Sequence, residues 1–296
     1  MKHAFMIMAH NNYNQLTKLL YLLDHPDVEI FLHIDKKSEE YTPPKLIYSK
    51  INLLERMKIN WGGYSQINCE LKLLKLALKN NKLKYFHLIT GQDLILKRID
   101  KVLDFFKKYQ EKNFIHFDRE IKSLDRYKRI RYYRPFQDIV SKRTFLGKII
   151  ISIFQERIFC LLQKIFGIDR NKKYKNVQFK SGSAYFSITR EFAEYIVKNE
   201  KDIEKCFAYT ICGDEMFVQT LVYNSKFKET LFNDKYNDKC SANQRYIDWN
   251  TGTPYIWRKS DVDDLFESNY LFARKFDEKV DSEIIDEIIA RIRNDI

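Results

Sequence analysis

Residues 4–9 read Ala-Phe-Met-Ile-Met-Ala, a short apolar run of the kind that forms a buried strand, and His10 follows it directly. Asn11 and Asn12 then offer turn and N-cap chemistry, after which leucines recur at helical spacing from Leu16 onward. The pattern therefore predicts a strand, a loop and a helix, in that order.

Two further units of the same kind follow along the chain. Strands are predicted at 28–35 and 85–90, and helices at 64–78 and 99–109. Strands that alternate with helices of this length indicate an α/β fold with a mostly parallel sheet. Ligands of such sheets bind at the carboxyl ends of the strands, which is where His10, Asp35 and Asp93 come in the sequence. These three side chains are therefore candidates for site residues on geometry alone.

The composition is that of a globular protein. The chain has 296 residues, of which 45% are hydrophobic and 31% charged, with 8 glycines and 5 prolines, and this excludes disordered and collagen-like classes. Its 5 cysteines include no C-x-x-C pair, so neither a disulfide framework nor a structural zinc site is predicted. No apolar run approaches the roughly 18 residues of a spanning helix. We expect a cytoplasmic protein.

The net charge of +12 is concentrated in one segment. Residues 119–175 carry 16 basic and 5 acidic side chains, whereas the remaining residues carry 36 and 35. In that segment an apolar, basic helix is predicted at 145–166, with Lys142, Arg143, Arg157 and Lys164 among its cations. Two interpretations stay open: an amphipathic helix on an anionic membrane surface, at the inner face of the cell membrane, or a core-facing helix with a solvated basic face.

Seven short blocks carry a resemblance that spans the chain from residue 9 to residue 277. They are Ala9-His10, His33 to Ser38, Trp61 to Ser65, Gly91-Gln92-Asp93, Gly182 to Phe186, Asp214-Glu215 and Leu271 to Asp277. In this order they resemble the core-2/I-branching glycosyltransferase family (glycosyltransferase family 14), which includes β-1,6-N-acetylglucosaminyltransferases and peptide O-xylosyltransferases, and the chain looks like a bacterial-type member. The resemblance implies a GT-A-like (Rossmann-like) α/β fold with a mostly parallel central sheet. We expect a single domain over 1–296, with a basic helical insert at about 119–175.

The resemblance also implies an inverting, metal-independent sugar transfer that uses no cofactor and takes a UDP-sugar as co-substrate. Inversion requires a base, normally a carboxylate, that accepts the proton of the attacking hydroxyl. Glu215 matches the catalytic position of the family's Asp-Glu motif, and Asp214 is assigned to the acceptor side. The alternative for both residues is an acidic helix start, in which Asp214 would be the N-cap.

Cations must balance the departing diphosphate if no metal does so. Lys275 matches the family's diphosphate-binding lysine, Arg245 is the match for its arginine, and Arg274 is either a third cation or solvated. The Asp-x-Asp sequence at 261–263 comes at a predicted helix start, so we interpret it as capping rather than as a metal site.

The remaining site residues have two interpretations each. Asp35 resembles the aspartate that contacts the nucleoside of the donor, or is a turn former. His10, at the same edge, either binds the donor as well or has a structural role only. On the acceptor side, Trp61 offers a stacking face or is a core aromatic, and Asp93 binds a sugar hydroxyl or holds its turn.

The donor and the acceptor are only partly indicated. Ala184 stands where the xylosyltransferase version of its block tends to have an acidic residue, which favours UDP-GlcNAc over a xylosyl or other hexosyl donor. We expect a glycan acceptor, including a lipid-linked one, in the synthesis of surface polysaccharide or lipid-linked oligosaccharide. The basic, aromatic run at 126–134 suits single-stranded nucleic acid as an alternative partner, but no RRM, KH or zinc-finger pattern supports it. We therefore expect no nucleic acid.

Overall fold

A computed structural model describes residues 1–119, 128–140 and 144–294 of the chain. Three of the predicted basic side chains, those of Arg126, Lys142 and Arg143, lie outside the described residues. The strands are β1 (Lys2–Ala9), β2 (Val28–Ile34), β3 (Lys50–Leu53), β4 (Leu83–Thr90), β5 (Asp93–Ile95), β6 (Phe114–Ile115), β7 (Phe186–Thr189), β8 (Arg245–Ile247) and β9 (Phe272–Arg274).

The α-helices follow the predicted pattern closely in the first half of the chain. They are α1 (Tyr13–Leu22), α2 (Tyr64–Leu78), α3 (Ile99–Lys108), α4 (Phe145–Ile149), α5 (Cys160–Ile165), α6 (Arg190–Lys198), α7 (Glu200–Phe207), α8 (Phe217–Tyr223), α9 (Val262–Glu267) and α10 (Glu283–Asn294). A π-helical stretch, Ile150–Phe159, joins α4 to α5.

The central sheet has six strands in the order β3-β2-β1-β4-β7-β6. Strand β1 pairs in parallel with β2 and β4, and β2 pairs in parallel with β3, whereas β7 is antiparallel to both β4 and β6. This confirms the predicted α/β class and the mostly parallel central sheet of a GT-A-like fold. The carboxyl ends of β1, β2 and β4 consequently meet at one edge, as the site prediction required.

Both faces of this sheet are covered. Phe5 and Ile7 of β1 pack into one apolar cluster and Ala4 and Met6 into another, because successive side chains of a strand point to opposite faces. A parallel strand that is buried on both faces is expected to read as an unbroken apolar run, which explains the sequence at 4–9.

A second, three-stranded sheet in the order β5-β9-β8 was not predicted. Its strands have three residues each, which is too short for any periodic pattern to appear in the sequence. Strand β5 follows β4 after a turn of two residues, and β9 pairs with it antiparallel so that Asp93 lies opposite Arg274. The small sheet thus brings the C-terminal block to the end of β4.

The longest helical segment of the basic insert covers 145–165, as predicted, but some of its polar side chains face the protein and most of its apolar ones face solvent. The side chains of Gln155 and Gln163 are buried against the protein, while most of the isoleucine, leucine and phenylalanine side chains are exposed. A core-facing helix with a solvated basic face therefore does not fit. None of the helices in the described part of the chain is both long and apolar enough to cross a bilayer.

A buried histidine pair on strands β1 and β4 of the central sheet predicts that the fold loses stability in acid. Nδ1 of His3 lies 2.9 Å from Nε2 of His87, and burial lowers the pKa of His3 to about 3 and that of His87 well below its usual value. Both rings stay neutral in the folded state, whereas in the unfolded chain they take up protons below about pH 6.5. Folding stability should therefore fall as the pH drops below 6.5.

We expect His3→Gln to lose less stability than the wild type between pH 7 and pH 5, by about 2 kcal/mol. Urea unfolding of both proteins at the two pH values measures the difference. Equal losses in the two proteins would mean that His3 is already accessible to protons in the folded state.

Candidate active site

An open cavity of about 540 Å³ lies at the carboxyl ends of β1 and β2. The structure brings the predicted His10 and Asp35 together in its wall, and Lys37 and Lys279 add positive charge that sequence reasoning missed. Its size is typical of small-molecule pockets. The other lining residues are Asn11, Asn12, Tyr13, Asn14, Ser38, Glu39 and Glu278.

Asp35 does two things at this cavity. Its Oδ1 accepts hydrogen bonds from the backbone N–H groups of Lys37, at 2.9 Å, and Ile59, at 3.4 Å, so that it shapes the loop after β2. Its Oδ2 lies 3.8 Å from Nζ of Lys37. The turn-forming interpretation is therefore correct in part, and the ligand-contacting interpretation stays a prediction.

The segment that follows β9 closes the same edge. The side-chain amide of Asn12 donates to Oδ1 of Asp277 at 2.9 Å, and the backbone N–H of Phe276 donates to the carbonyl of Gln92 at 2.9 Å. Lys275 is the residue immediately before Phe276, so the backbone carries the predicted diphosphate-binding lysine to the strand ends. Its role in binding remains a prediction.

Arg274, which is partly buried, forms an ion pair with the buried Asp93, with Nη1 and Oδ1 2.7 Å apart. Arg274 also donates to Oγ1 of Thr90, and its guanidinium lies 4.5 Å from the centre of the Tyr185 ring. Oδ2 of Asp93 accepts a hydrogen bond from the Thr90 N–H at 2.6 Å. Asp93 therefore holds its turn and orients Arg274, and Arg274 is a fixed cation rather than a solvated one.

The structure does not bring Arg245 to the cavity. The residue is 3% exposed, and its Nη2 donates to the carbonyl of Phe186 at 2.6 Å and to Oγ of Ser187 at 3.0 Å, inside the central sheet. Burial lowers its pKa to about 9. Because its Nη1 and Nη2 groups donate to Asn243 and to strands β4 and β7, contact with a diphosphate does not fit this arrangement, which corrects the expectation from sequence.

Glu215 lies in a 3₁₀ turn, Gly213–Glu215, just before α8. Its side chain is 27% exposed, and Oε2 accepts a hydrogen bond from Nη1 of Arg129 at 2.9 Å. Its backbone carbonyl accepts from the N–H of Gly182 at 2.9 Å, so the turn is attached to the segment that leads into β7. Arg129 was missed because it is one of several arginines in a basic run, and no pattern distinguishes it from the others.

Two further carboxyl groups lie behind Glu215. Asp214 is buried and accepts a hydrogen bond from the side-chain amide of Gln66 at 3.2 Å, and α8 has no side-chain N-cap, so the capping interpretation does not fit. Burial and the negative charge of Glu215 raise the pKa of Asp214 to about 7. Glu70 of α2 is also buried, and burial together with Asp214 raises its pKa well above the usual value. Sequence reasoning did not find Glu70, because it sits within an ordinary helical pattern.

The Trp61 ring is 63% exposed, so the core-aromatic interpretation does not fit. The loop around it is held by the insert: Gln137 donates to the Trp61 carbonyl at 2.8 Å, and Asp138 accepts from Oγ of Ser65 at 2.6 Å, at the start of α2. Gly63 makes this possible, because a Cβ at that position would lie 2.0 Å from the Asp138 carboxylate. The glycine therefore admits a side chain of the insert.

The described residues offer one cluster with metal-ligating chemistry. Ligand atoms of His116, Asp118 and Asp238 lie within 4.8 Å of one another, after the end of β6. The cluster is hydrogen-bonded within the protein, since Ser181 Oγ donates to Asp118 at 2.7 Å.

The Asp-x-Asp sequence at 261–263 does not form a metal cluster among the residues described. Asp261 accepts a hydrogen bond from the backbone N–H of Arg258 at 2.8 Å, and Asp263 pairs with Arg291 at 2.7 Å. The capping interpretation therefore fits the structure.

The two buried carboxyls predict a fold that loses stability as the pH rises. Because the pKa values of Glu70 and Asp214 are raised in the folded state, the folded protein holds protons that the unfolded chain releases from about pH 4 upward. A neutral amide at position 70 removes one of these groups. We compare the free energy of unfolding of Glu70→Gln with that of the wild type at each pH. We expect the difference, variant minus wild type, to be about 1–3 kcal/mol larger at pH 8 than at pH 5.

Urea unfolding at both pH values measures this change, and Glu204→Gln on the exposed face of α7 is the matched control. If Glu204→Gln shows the same pH dependence of stability as Glu70→Gln, the effect comes from the loss of one negative charge rather than from the burial of Glu70.

Comparison with known proteins gives a consistent family assignment. A family model described as "Core-2/I-Branching enzyme" matches residues 3–266. A xylosyltransferase of Ciona intestinalis is 22% identical over 99% of this chain, and human xylosyltransferase 2 is 24% identical over 96%. The chain spans about a third of the length of these two relatives, 34% and 33%.

A human β-1,3-galactosyl-O-glycosyl-glycoprotein β-1,6-N-acetylglucosaminyltransferase is 22% identical over 94% of this chain and 66% of its own length. Among solved structures, apo mouse xyloside xylosyltransferase 1 aligns with 92% of this chain and 97% of that chain, at 9% identity and a TM-score of 0.38.

Proposed function

Because the chain belongs to the Core-2/I-Branching enzyme family, we propose that it is an inverting glycosyltransferase that moves a sugar from a nucleotide donor to a hydroxyl of a glycan acceptor. The observation that carries this proposal is the position of Glu215. Its carboxylate is partly exposed, is oriented by Arg129, and lies in a turn attached to the segment before β7. A base in an inverting transfer needs this combination of fixed orientation and access.

The reaction would be a single displacement. The acceptor hydroxyl attacks the anomeric carbon as its proton passes to Glu215, and the bond from that carbon to the diphosphate oxygen breaks, so that the nucleoside diphosphate leaves from the opposite face. Asp214 and Glu70 are poorer candidates for the base, because burial favours their protonated forms.

Positive charge for the leaving group would come from the protein. Arg274 is held in place by Asp93 and Thr90 before any ligand binds, and Lys275 follows it in the chain. A preorganised cation stabilises developing negative charge without having to reorganise during the reaction. We propose that this pair replaces the metal ion, with no cofactor besides the UDP-sugar.

The nucleoside part of the donor would occupy the cavity lined by His10 and Asp35. We propose UDP-GlcNAc as donor, supported by the small Ala184 in its block, with UDP-xylose or another UDP-hexose as the alternative. Relatives named for both transfers match this chain. Turnover of a panel of UDP-sugars separates the two.

We propose that the acceptor belongs to surface polysaccharide or lipid-linked oligosaccharide synthesis and that this bacterial-type enzyme acts in the cytoplasm at the inner face of the membrane. The net charge of segment 119–175, which also provides Arg129, Gln137 and Asp138 to the site, supports a location at an anionic surface.

If Glu215 is the base, Glu215→Gln should lower kcat for UDP-sugar turnover by at least about 100-fold, because the amide cannot accept the proton. Activity of the wild type should persist in EDTA. Glu204→Gln is the matched control and should keep full activity. Retained activity in Glu215→Gln would remove Glu215 as the base, and loss in EDTA would point to a metal, with His116, Asp118 and Asp238 as the first ligands to test.

Arg129 is expected to act as a positioning residue. Arg129→Gln should lower kcat by about tenfold with an unchanged KM for the donor, since the Glu215 carboxylate loses the group that orients it. Arg129→Lys should recover part of the loss. The control is Arg131→Gln, which breaks the ion pair with Asp169 instead. A rise in donor KM with unchanged kcat would indicate that Arg129 contacts the donor.

A further inference from the structure

The helical segment at 145–165 packs on the protein through polar side chains. Gln155 accepts a hydrogen bond from the N–H of Phe136 at 2.9 Å, and Gln163 donates to the carbonyl of Tyr133 at 2.9 Å. Both glutamines are buried. These bonds fix which side of the segment is covered and leave its apolar residues on the outside.

The outer side of the segment presents large apolar side chains to solvent. Five of them, which we call the docking face, are between 55% and 78% exposed: Phe145, Leu146, Leu161, Ile165 and Phe166. Single exposed apolar residues are common, but a set along one helical segment marks an interaction surface.

Exposed cations flank the docking face. They are Arg157 and Lys164 on the segment itself and Lys172, Lys173 and Lys175 just after it. Basic side chains beside exposed phenylalanine, leucine and isoleucine form the pattern that binds at the headgroup level of anionic bilayers.

Two other occupants fit less well. A second copy of the chain would place the same cations opposite one another, which disfavours association through this face. Nucleic acid would be attracted by the charge and could stack on Phe145 and Phe166. It would, however, leave the aliphatic side chains of Leu146, Leu161 and Ile165 exposed to water. An anionic lipid surface satisfies both the cations and the apolar side chains.

We propose that the docking face inserts into the surface of an anionic membrane. The segment is connected to the candidate base, since Glu156 pairs with Arg134 at 2.8 Å, Arg134 donates to the Arg129 carbonyl at 2.5 Å, and Arg129 binds Glu215. Membrane binding therefore sets the orientation of the site relative to the lipid. The membrane proposal extends the proposed function. It rests on that function where it takes the acceptor to be lipid-linked.

Flotation of the 296-residue chain with lipid vesicles tests the proposal. We expect binding to vesicles of phosphatidylcholine mixed with phosphatidylglycerol, and weaker binding to phosphatidylcholine alone. A variant with glutamine at all five docking-face positions should bind the anionic vesicles at least about tenfold more weakly. The five side chains are mostly exposed, so the variant should keep the circular dichroism and melting temperature of the wild type.

The matched control replaces apolar residues that are equally exposed elsewhere. Ile47→Gln with Leu53→Gln, at 83% and 56% exposure, should bind like the wild type. In a second measurement, Phe166→Trp is compared with the wild type, which has 3 tryptophans: the added emission should be blue-shifted and quenched by brominated lipids more strongly than that of the wild type. Unchanged binding of the five-site variant, or a tryptophan that brominated lipids do not quench, would overturn the proposal.

Sedimentation of the wild type without lipid addresses self-association. A dimer that disappears in the five-site variant, with no vesicle binding by the wild type, would mean that a second copy covers this face and would also overturn the proposal. Turnover of UDP-sugar in solution is measured separately. If the protein binds vesicles but turns over no UDP-sugar, the proposed function is wrong and the proposal of a membrane-binding docking face still holds.

Discussion

The ion pair between Arg274 and Asp93 is the contact on which the arrangement of the candidate site depends. It joins the second sheet to the end of β4, and with Thr90 it fixes a cation at the strand ends. Asp93 is buried and the Arg274 side chain is only 13% exposed, so removing either one would leave a poorly solvated, uncompensated charge at a cost of about 3–5 kcal/mol. Such a pair adds little net stability compared with apolar packing. Its value lies in geometry, because it specifies where Arg274 must be and what must lie opposite it.

The central sheet could be predicted from sequence because its signals are local and strong. An apolar run that ends in a polar residue and is followed by a loop and an amphipathic helix recurs three times, and the parallel pairing that follows brings His10 and Asp35 to one cavity. The three-residue strands β5, β8 and β9 give no such signal. Their pairing depends on contacts between residues far apart in sequence, which periodicity does not report.

The parts of the site that sequence reasoning missed share one physical cause. Arg129 and Glu70 look like ordinary charged residues of a basic run and a helix, and only the tertiary structure turns one toward Glu215 and buries the other behind Asp214. Arg245 shows the opposite failure. It matched a family position by type, but its guanidinium satisfies backbone carbonyls at β7, a use that leaves no trace in sequence.

The contact between Gly63 and Asp138 has a consequence for how this chain can change over time. Asp138 comes from the basic insert, yet it provides the acceptor at the start of α2 that a residue of the helix's own loop would ordinarily supply. The insert is therefore not a module that can be transplanted or excised at its ends. A side chain at position 63 would displace Asp138, and substitution of Asp138 would leave the start of α2 without this acceptor. Substitutions at the two positions are therefore tolerated only together.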